Sequence, residues 1–240
     1  MEVKHVALTI VDISGYTRFL EWNKTSLLHA ETIITELLEA VIDQAEFPLK
    51  LNKLEGDAAL MFAVIPAADD QRAAAAQDIT RQVQRFHQAF QAKQQEMVAG
   101  AQCPCDACQN LSMLRLKAFL HLGEVVIKQV RQFEELAGSE VILIHRLLKN
   151  HIPAREYLAM TETFYRAGGG IPDQEVEQHE EGYSDIGSVR LFLYYPGGKA
   201  QAMQSIEAQS QPSGPRLSNW METTWHRLFK RKKTFHNLPY

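Results

Sequence analysis

The chain has 240 residues, of which 45% are hydrophobic and 22% charged, and its formal net charge is −4. This composition is typical of a globular protein, and its slightly acidic balance argues against general binding to nucleic acid. No apolar run reaches the roughly 18 residues that span a bilayer. The charged residue Asp12 interrupts the first apolar stretch, whereas the apolar stretch of a signal peptide is uncharged. We therefore expect a cytoplasmic protein.

The first predicted elements are a buried strand and a long helix. Residues 5–11, HVALTIV, are mostly apolar and β-branched and run directly into Asp12, which predicts a strand that delivers a carboxylate at its C-terminal end. After a turn at SGY, apolar residues recur at helical spacing from Thr25 to Ala45. This spacing predicts an amphipathic helix.

A hairpin with a carboxylate at its tip is predicted next. Residues 49–64 form two strand-like runs around Glu55, Gly56 and Asp57, and glycine permits the tight reversal. Pro66 and the aspartates that follow it then open a second helix with one apolar stripe.

The rest of the predicted domain alternates strands and helices. Residues 114–128 predict a strand pair that turns at Gly123, and the following helix runs from Ser139 to His151, where Pro153 stops it. YLAMT and SVRLFLYY supply two more strands. This order predicts an α+β sandwich with helices on one face of a mainly antiparallel sheet.

Composition divides the chain into three parts. Residues 1–198 form the predicted domain, 199–215 are polar and contain Pro and Ser, and 216–240 predict a basic amphipathic helix. This helix can lie on an anionic membrane, bind a protein partner or dock on its own domain. The first alternative places the protein at the inner face of the membrane.

Two aspartates at strand ends suggest divalent-metal chemistry. Asp12 and Asp57 could hold two Mg²⁺ or Mn²⁺ ions for an in-line phosphoryl displacement. Backbone N–H groups of the turn formed by residues 14–17 (Ser14, Gly15, Tyr16 and Thr17) could hold phosphates. Taken singly, each aspartate is more typical of a turn or a helix cap than of a metal site.

Four segments resemble motifs of the class III adenylate and guanylate cyclases, in the family's order: VDISGYTRFLE (11–21), KLEGDAALMF (53–62), LKAFLHLGEVV (116–126) and AGSEVILIHRL (137–147). Their variants are closest to a bacterial branch of unknown function. The resemblance implies the class III nucleotidyl cyclase fold, which is ferredoxin-like. It also implies cyclisation of a nucleoside triphosphate, with two metal ions on Asp12, Asp57 and the carbonyl of Ile13.

The resemblance further implies how the substrate is held. Lys53 matches the lysine that reads adenine, which favours ATP; Glu135 falls near the position of its partner, and Gly56 precedes the second metal aspartate. Arg146 matches the catalytic arginine that stabilises charge on the transferring phosphate. In this family the metals come from one chain and the lysine and arginine from the other, so a homodimer is expected.

Three departures from the family pattern leave a second function open. Ile142 stands where the family has an asparagine that orients the ribose, and an isoleucine side chain forms no hydrogen bond. The partner of the base-reading lysine is usually Asp, Ser or Thr in the family and falls at or near Glu135 here. The lysine that holds the triphosphate has no clear counterpart, with Arg190 or Lys199 as substitutes. The base could thus be adenine, guanine or a pyrimidine, and the alternative function is a catalytically degenerate nucleotide sensor or dimerisation module.

Three cysteines lie within six residues, Cys103, Cys105 and Cys108. Their spacing suits Zn²⁺ or a redox-active thiol pair, and a structural zinc site needs four ligands. His87 or His121 is a conceivable fourth ligand, although His121 is also typical of a core histidine.

Overall fold

The computed structural model describes residues 1–23, 26–66, 68–100 and 105–203. These residues belong to one compact unit, Met1–Ile206, whereas a second unit, Glu207–Tyr240, lies outside them. The described strands are β1 (Glu2–Ser14), β2 (Lys50–Glu55), β3 (Ala58–Val64), β4 (Arg115–Val130), β5 (Phe133–Ala137), β6 (Tyr157–Thr161), β7 (Glu177–Tyr183) and β8 (Gly187–Tyr194). The described helices are α1 (Tyr16–Trp22), α2 (Leu27–Ile42), α3 (Asp69–Gly100), α4 (Asp106–Asn110), a 3₁₀ turn (Leu111–Met113), α5 (Ser139–Leu147), α6 (Glu162–Phe164) and a π-helical turn (Tyr165–Gly169).

All described strands join one sheet in the order β2-β3-β1-β4-β6-β8-β7, with β5 paired to the far end of β4. β4 and β6 are parallel, and every other pair is antiparallel. β1 lies between β3 and β4, so that Asp12 is opposite Ala58 on one side and Lys117 on the other. The predicted mainly antiparallel α+β architecture is confirmed.

Helices cover both faces of this sheet, which corrects the expectation of one covered face. Successive residues of β1 point to opposite faces, and they enter two separate buried clusters. Ala7, Val11 and Ile13 pack with α2 and α3, whereas Leu8 and Ile10 pack with α5. Apolar side chains on both faces of a strand require a layer on each side.

Gly123 is not a turn, contrary to the prediction. β4 runs through it without interruption, and the chain reverses only after Val130, where Arg131 has φ 55°. A Cβ at Gly123 would lie 2.7 Å from the Glu140 side chain, which bonds His121 Nε2 at 2.5 Å. The glycine therefore leaves room for the Glu140 side chain beside the strand.

α5 ends at Leu147, four residues before the predicted His151. The Asn150 side chain donates to the Leu147 carbonyl at 2.7 Å, and the His151 backbone N–H donates to Glu181 at 2.6 Å. These contacts satisfy groups that a continuing helix would have used.

Residues 199–203, the first of the predicted linker, are helical, and Ala202 is buried. The remainder of that linker and the predicted helix 216–240 lie outside the described residues. Within the described residues, no helix is long and apolar enough to cross a membrane.

Candidate active site

The two predicted metal aspartates meet at one open cleft. Asp12 lies near the end of β1, and Asp57 lies in the turn between β2 and β3, where Gly56 has φ 65°. The Ile13 N–H donates to the Asp57 carbonyl at 3.2 Å, which holds the turn against β1. Asp12, Ile13 and Asp57 all line a cleft of about 640 Å³, the Asp12–Asp57 cleft.

The electrostatics of this cleft are unusual for a surface turn. Burial, together with the negative charge of Asp12, raises the pKa of Asp57 from its ordinary 3.8 to about 7. Lys117 Nζ lies 2.8 Å from Asp12 Oδ2, and these two side chains are only 15% and 14% exposed. Asp12 is therefore paired with an ammonium group, whereas the charged form of Asp57 is disfavoured.

These groups fit a divalent cation. The Ile13 side chain is buried, so its contribution to the cleft lining is its backbone. Hard oxygen donors such as the two carboxylates suit Mg²⁺ or Mn²⁺. A cation between Asp12 and Asp57 would also remove the repulsion that raises the pKa of Asp57.

The turn at residues 14–17, predicted to hold phosphates, forms one wall of the cleft. Gly15 precedes α1 with φ 97°, a conformation that side chains other than glycine rarely adopt. Tyr16 Oη donates to Glu31 of α2 at 2.9 Å. This wall is thus tied to the second helix of the chain.

Several basic residues of the cleft were missed by sequence reasoning. Arg18, Lys149 and Arg155 line it together with Lys117. Burial and the nearby charges of Arg18 and Arg115 lower the pKa of Arg155, as expected where cations crowd together. This concentration of positive charge beside two carboxylates suits a polyanion that arrives with metal ions.

The suggested substitutes for the triphosphate lysine do not reach this cleft. Arg190 bonds Glu162 at 2.9 Å, and Lys199 bonds Glu177 at 2.8 Å. Both lie outside the lining of the Asp12–Asp57 cleft. Arg190 lies on β8, which is three strands away from β1, and Lys199 follows β8 in the chain.

The predicted base-reading pair is connected to the Asp12–Asp57 cleft through Glu55, which lines that cleft. Lys53 Nζ lies 3.8 Å from Glu135 Oε2 and 3.4 Å from Glu55 Oε1. Glu55 also bonds His145 of α5, with 3.0 Å between the carboxylate and Nε2. Neither Lys53 nor Glu135 lines the Asp12–Asp57 cleft of its own chain.

Arg146 likewise lies outside that cleft. Its guanidinium bonds Asp185 at 2.7 Å, and both side chains are about half exposed. Ile142, one helical turn earlier on α5, is 57% exposed and lies on the same surface depression as Arg146. Arg146 thus lies outside the cleft that holds the two carboxylates, although Lys149 lines both surfaces.

The cysteine cluster has a histidine partner, but it is neither of the predicted ones. Cys105 Sγ lies 3.3 Å from His29 Nδ1, and Cys108 Sγ lies 3.8 Å from His29 Nε2. His87 instead bonds the Val83 carbonyl, and His121 bonds Glu140 and Thr161. Cys103 lies outside the described residues.

A family model for a protein of unknown function, DUF2652, matches residues 34–157, about half of the chain. The chain belongs to the DUF2652 family. The matched region contains Asp57, Lys53, Glu135 and Arg146 and begins after Asp12.

One curated protein is similar to this DUF2652 member in sequence, and two solved structures are similar to it in fold. It is 37% identical over 129 residues to the uncharacterized protein Rv2561/Rv2562 of Mycobacterium tuberculosis, and the match spans 54% of this chain and 57% of that protein. The structure is similar to the guanylyl cyclase Cya2, with TM-score 0.57 and 14% identity over 80% of this chain and 92% of that chain. It is also similar to a bacterial light-regulated adenylyl cyclase, with TM-score 0.59 and 14% identity over 86% of this chain and 56% of that chain. The chain therefore has the class III cyclase fold, as its motifs predicted.

Proposed function

We propose that this protein is a nucleotidyl cyclase that converts a nucleoside triphosphate, ATP in the first instance, to the 3′,5′-cyclic nucleotide and pyrophosphate. The proposal rests above all on Asp12 and Asp57, which share one cleft of a class III cyclase fold. The raised pKa of Asp57 supports it, because strongly perturbed carboxylates concentrate at functional sites.

In this proposal Asp12, Asp57 and the Ile13 carbonyl hold two Mg²⁺ or Mn²⁺ ions. Bound there, the ions would lower the pKa of the ribose 3′-hydroxyl and neutralise charge on the triphosphate. Lys117 is close enough to Asp12 to compensate its charge before substrate arrives. Lys149 and Arg155, which line the same cleft, would bind the phosphates by charge-assisted hydrogen bonds.

The remaining groups would come from a second copy of the chain. Lys53 and Glu135 would contact the base, and Arg146 would bind the α-phosphate. As the 3′-oxygen loses its proton and bonds to the α-phosphorus, the bond to the β-phosphate oxygen breaks and pyrophosphate leaves. Arg146 would exchange Asp185 for the phosphate, which is feasible because that exposed ion pair is worth only about 0–1 kcal/mol.

A product assay tests this function. The purified full chain is incubated with Mn²⁺ and each of ATP, GTP, CTP and UTP, and the products are identified by mass spectrometry. The expected result is a cyclic monophosphate that disappears in Asp57→Ala. Absence of a cyclic product with all four nucleotides would contradict the proposal.

A mixing experiment tests the two-chain site. Asp57→Ala lacks the metal carboxylate and Arg146→Ala lacks the phosphate-binding group, so each is expected to be inactive alone. A mixed dimer regains one intact site, so activity should return after the two variants are co-refolded. Each variant refolded alone is the control, and continued inactivity of demonstrably mixed dimers would exclude a shared site.

A nucleotide-binding module without turnover is the second candidate function, and Ile142 is the observation that favours it. Its exposed apolar side chain occupies the position from which the family's asparagine orients the ribose. Nucleotide held without that hydrogen bond would bind but react slowly. Retained Mn²⁺-dependent ATP binding, measured by calorimetry and lost in Asp57→Ala, would support this alternative if no cyclic product forms.

A further inference from the structure

We propose that His29, Cys105 and Cys108 form a binding site for one Zn²⁺ ion that fastens the start of α2 to α4. One nitrogen and two sulfur atoms, one from each residue, lie within 4.8 Å of one another, and all three residues are partly buried. The site is separate from the Asp12–Asp57 cleft, whose lining contains none of the three.

The distances match those of a zinc site. Zn–S bonds of about 2.3 Å and Zn–N bonds of about 2.0–2.1 Å at tetrahedral angles place ligand atoms roughly 3.5–3.8 Å apart. His29 Nδ1 lies 3.3 Å from Cys105 Sγ, and His29 Nε2 lies 3.8 Å from Cys108 Sγ. Zinc would use one of the two ring nitrogens, so the imidazole would turn that nitrogen toward both sulfur atoms.

The chemistry of the three ligands also selects zinc. Two thiolates and an imidazole are borderline-soft donors, which favour Zn²⁺ over the Mg²⁺ or Mn²⁺ expected at carboxylates. Cys105 and Cys108 are spaced C-x₂-C, the spacing of a zinc knuckle, and His29 comes from 76 residues away. Three protein ligands leave one tetrahedral position for water or a further side chain.

The fold gives this ion a place to act. α4 continues into the 3₁₀ turn Leu111–Met113, and Gln94 of α3 donates to the Leu111 and Leu114 carbonyls at 2.9 Å each. A Cβ added at Gly15 would lie 3.8 Å from the side chains of Met113 and Leu114, so both side chains are close to this glycine. A zinc ion on α4 would thus brace the segment that supports the turn at residues 14–17.

Metal analysis tests the inference without nucleotide, so its outcome is independent of the proposed cyclase activity. The full chain is purified under reducing conditions without affinity metals, and its zinc content is measured by inductively coupled plasma mass spectrometry. We expect about one zinc per chain, and a zinc affinity at least about tenfold lower in His29→Gln and in Cys108→Ser. Asp57→Asn is the matched control and should retain the zinc.

Cobalt substitution and thiol protection provide readouts that survive a folding defect in the variants. Co²⁺ added to the metal-free wild-type chain should give intense thiolate-to-cobalt absorption, and zinc should protect Cys105 and Cys108 from alkylation until a chelator is added. Two results would each overturn the proposal: a native chain that neither contains nor takes up zinc, or a metal-free native chain with a Cys105–Cys108 disulfide.

Discussion

Replacing Asp57 by asparagine is expected to stabilise the protein while it abolishes activity. The pKa of Asp57 is raised to about 7 by burial and by the charge of Asp12. A rise from the ordinary 3.8 corresponds to about 4 kcal/mol. Because Asp57 is only half-buried, solvent screening reduces this to about 1–2 kcal/mol. The asparagine side chain has the shape of the aspartate and carries no charge, so the Asp57→Asn variant should avoid this cost.

The sign of the pH dependence follows from linkage. An acid whose pKa is higher in the folded than in the unfolded chain makes stability fall as pH rises between the two values, here from about 4 to about 7. Asp57→Asn should therefore gain roughly 2–8 °C in melting temperature over wild type near pH 8, and nearly nothing near pH 4. Thermal denaturation at both pH values, without divalent metal, measures the difference.

The same melts with metal complete the test. Mn²⁺ at about 100 times its Kd should stabilise wild type by about 2.7 kcal/mol and leave Asp57→Asn unchanged. Asp173→Asn is a suitable control, because Asp173 is exposed and its positive φ is tolerated by asparagine. A gain for Asp57→Asn that is absent near pH 8, or equal at both pH values, would refute the repulsion argument.

Three further substitutions test separate parts of the site and fold. Arg146→Ala should lower kcat by about 10²–10³-fold. It should lower the free energy of unfolding by less than about 1 kcal/mol, since the pair with Asp185 is half exposed. Steady-state kinetics and thermal melts measure the two effects, and a loss of stability as large as the loss of activity would indicate a structural role. Ile142→Asn should raise kcat by about two- to tenfold if a ribose hydrogen bond is missing, without destabilising the exposed position; unchanged kcat in the same assay would rule out that cause. Glu181 is buried, which raises its pKa, but hydrogen bonds from His151 and His179 outweigh burial and lower the pKa overall. Its stabilising effect is thus present above the ordinary pKa of 4.5 and lost as pH falls below it. Urea titrations at about pH 7 and pH 4 should show that Glu181→Gln lowers the free energy of unfolding by about 1–3 kcal/mol at the higher pH only. An equal loss at both pH values would contradict the role given to the hydrogen bonds of the charged carboxylate.

Local pattern predicted the carboxylates of the cleft because their positions depend on neighbouring residues alone. A buried strand with Asp12 near its end and a glycine turn before Asp57 can both be recognised in short segments of sequence. Gly123 shows the limit of this reasoning, since a glycine in a strand indicates either a reversal or a close approach. Here the decisive neighbour, Glu140, belongs to another element.

The residues that sequence reasoning missed depend on contacts between distant segments. Lys117 meets Asp12 only because β4 pairs with β1 in one register, and a shift of one residue would turn it to the other face. His29 meets Cys105 across 76 residues of chain. No local pattern around either residue identifies its partner, so only the assembled sheet and helices bring each pair to light.

The separation of the two predicted half-sites has a consequence for control of the proposed activity. The Asp12–Asp57 cleft contains carboxylates and phosphate-binding cations, whereas Arg146 lies on the exposed face of α5 and bonds Asp185. A single chain would then bind metal and triphosphate without placing Arg146 on the reacting phosphate. Since that placement carries a large part of the electrostatic stabilisation in phosphoryl transfer, turnover per chain should rise with protein concentration until dimers form, while metal affinity stays constant.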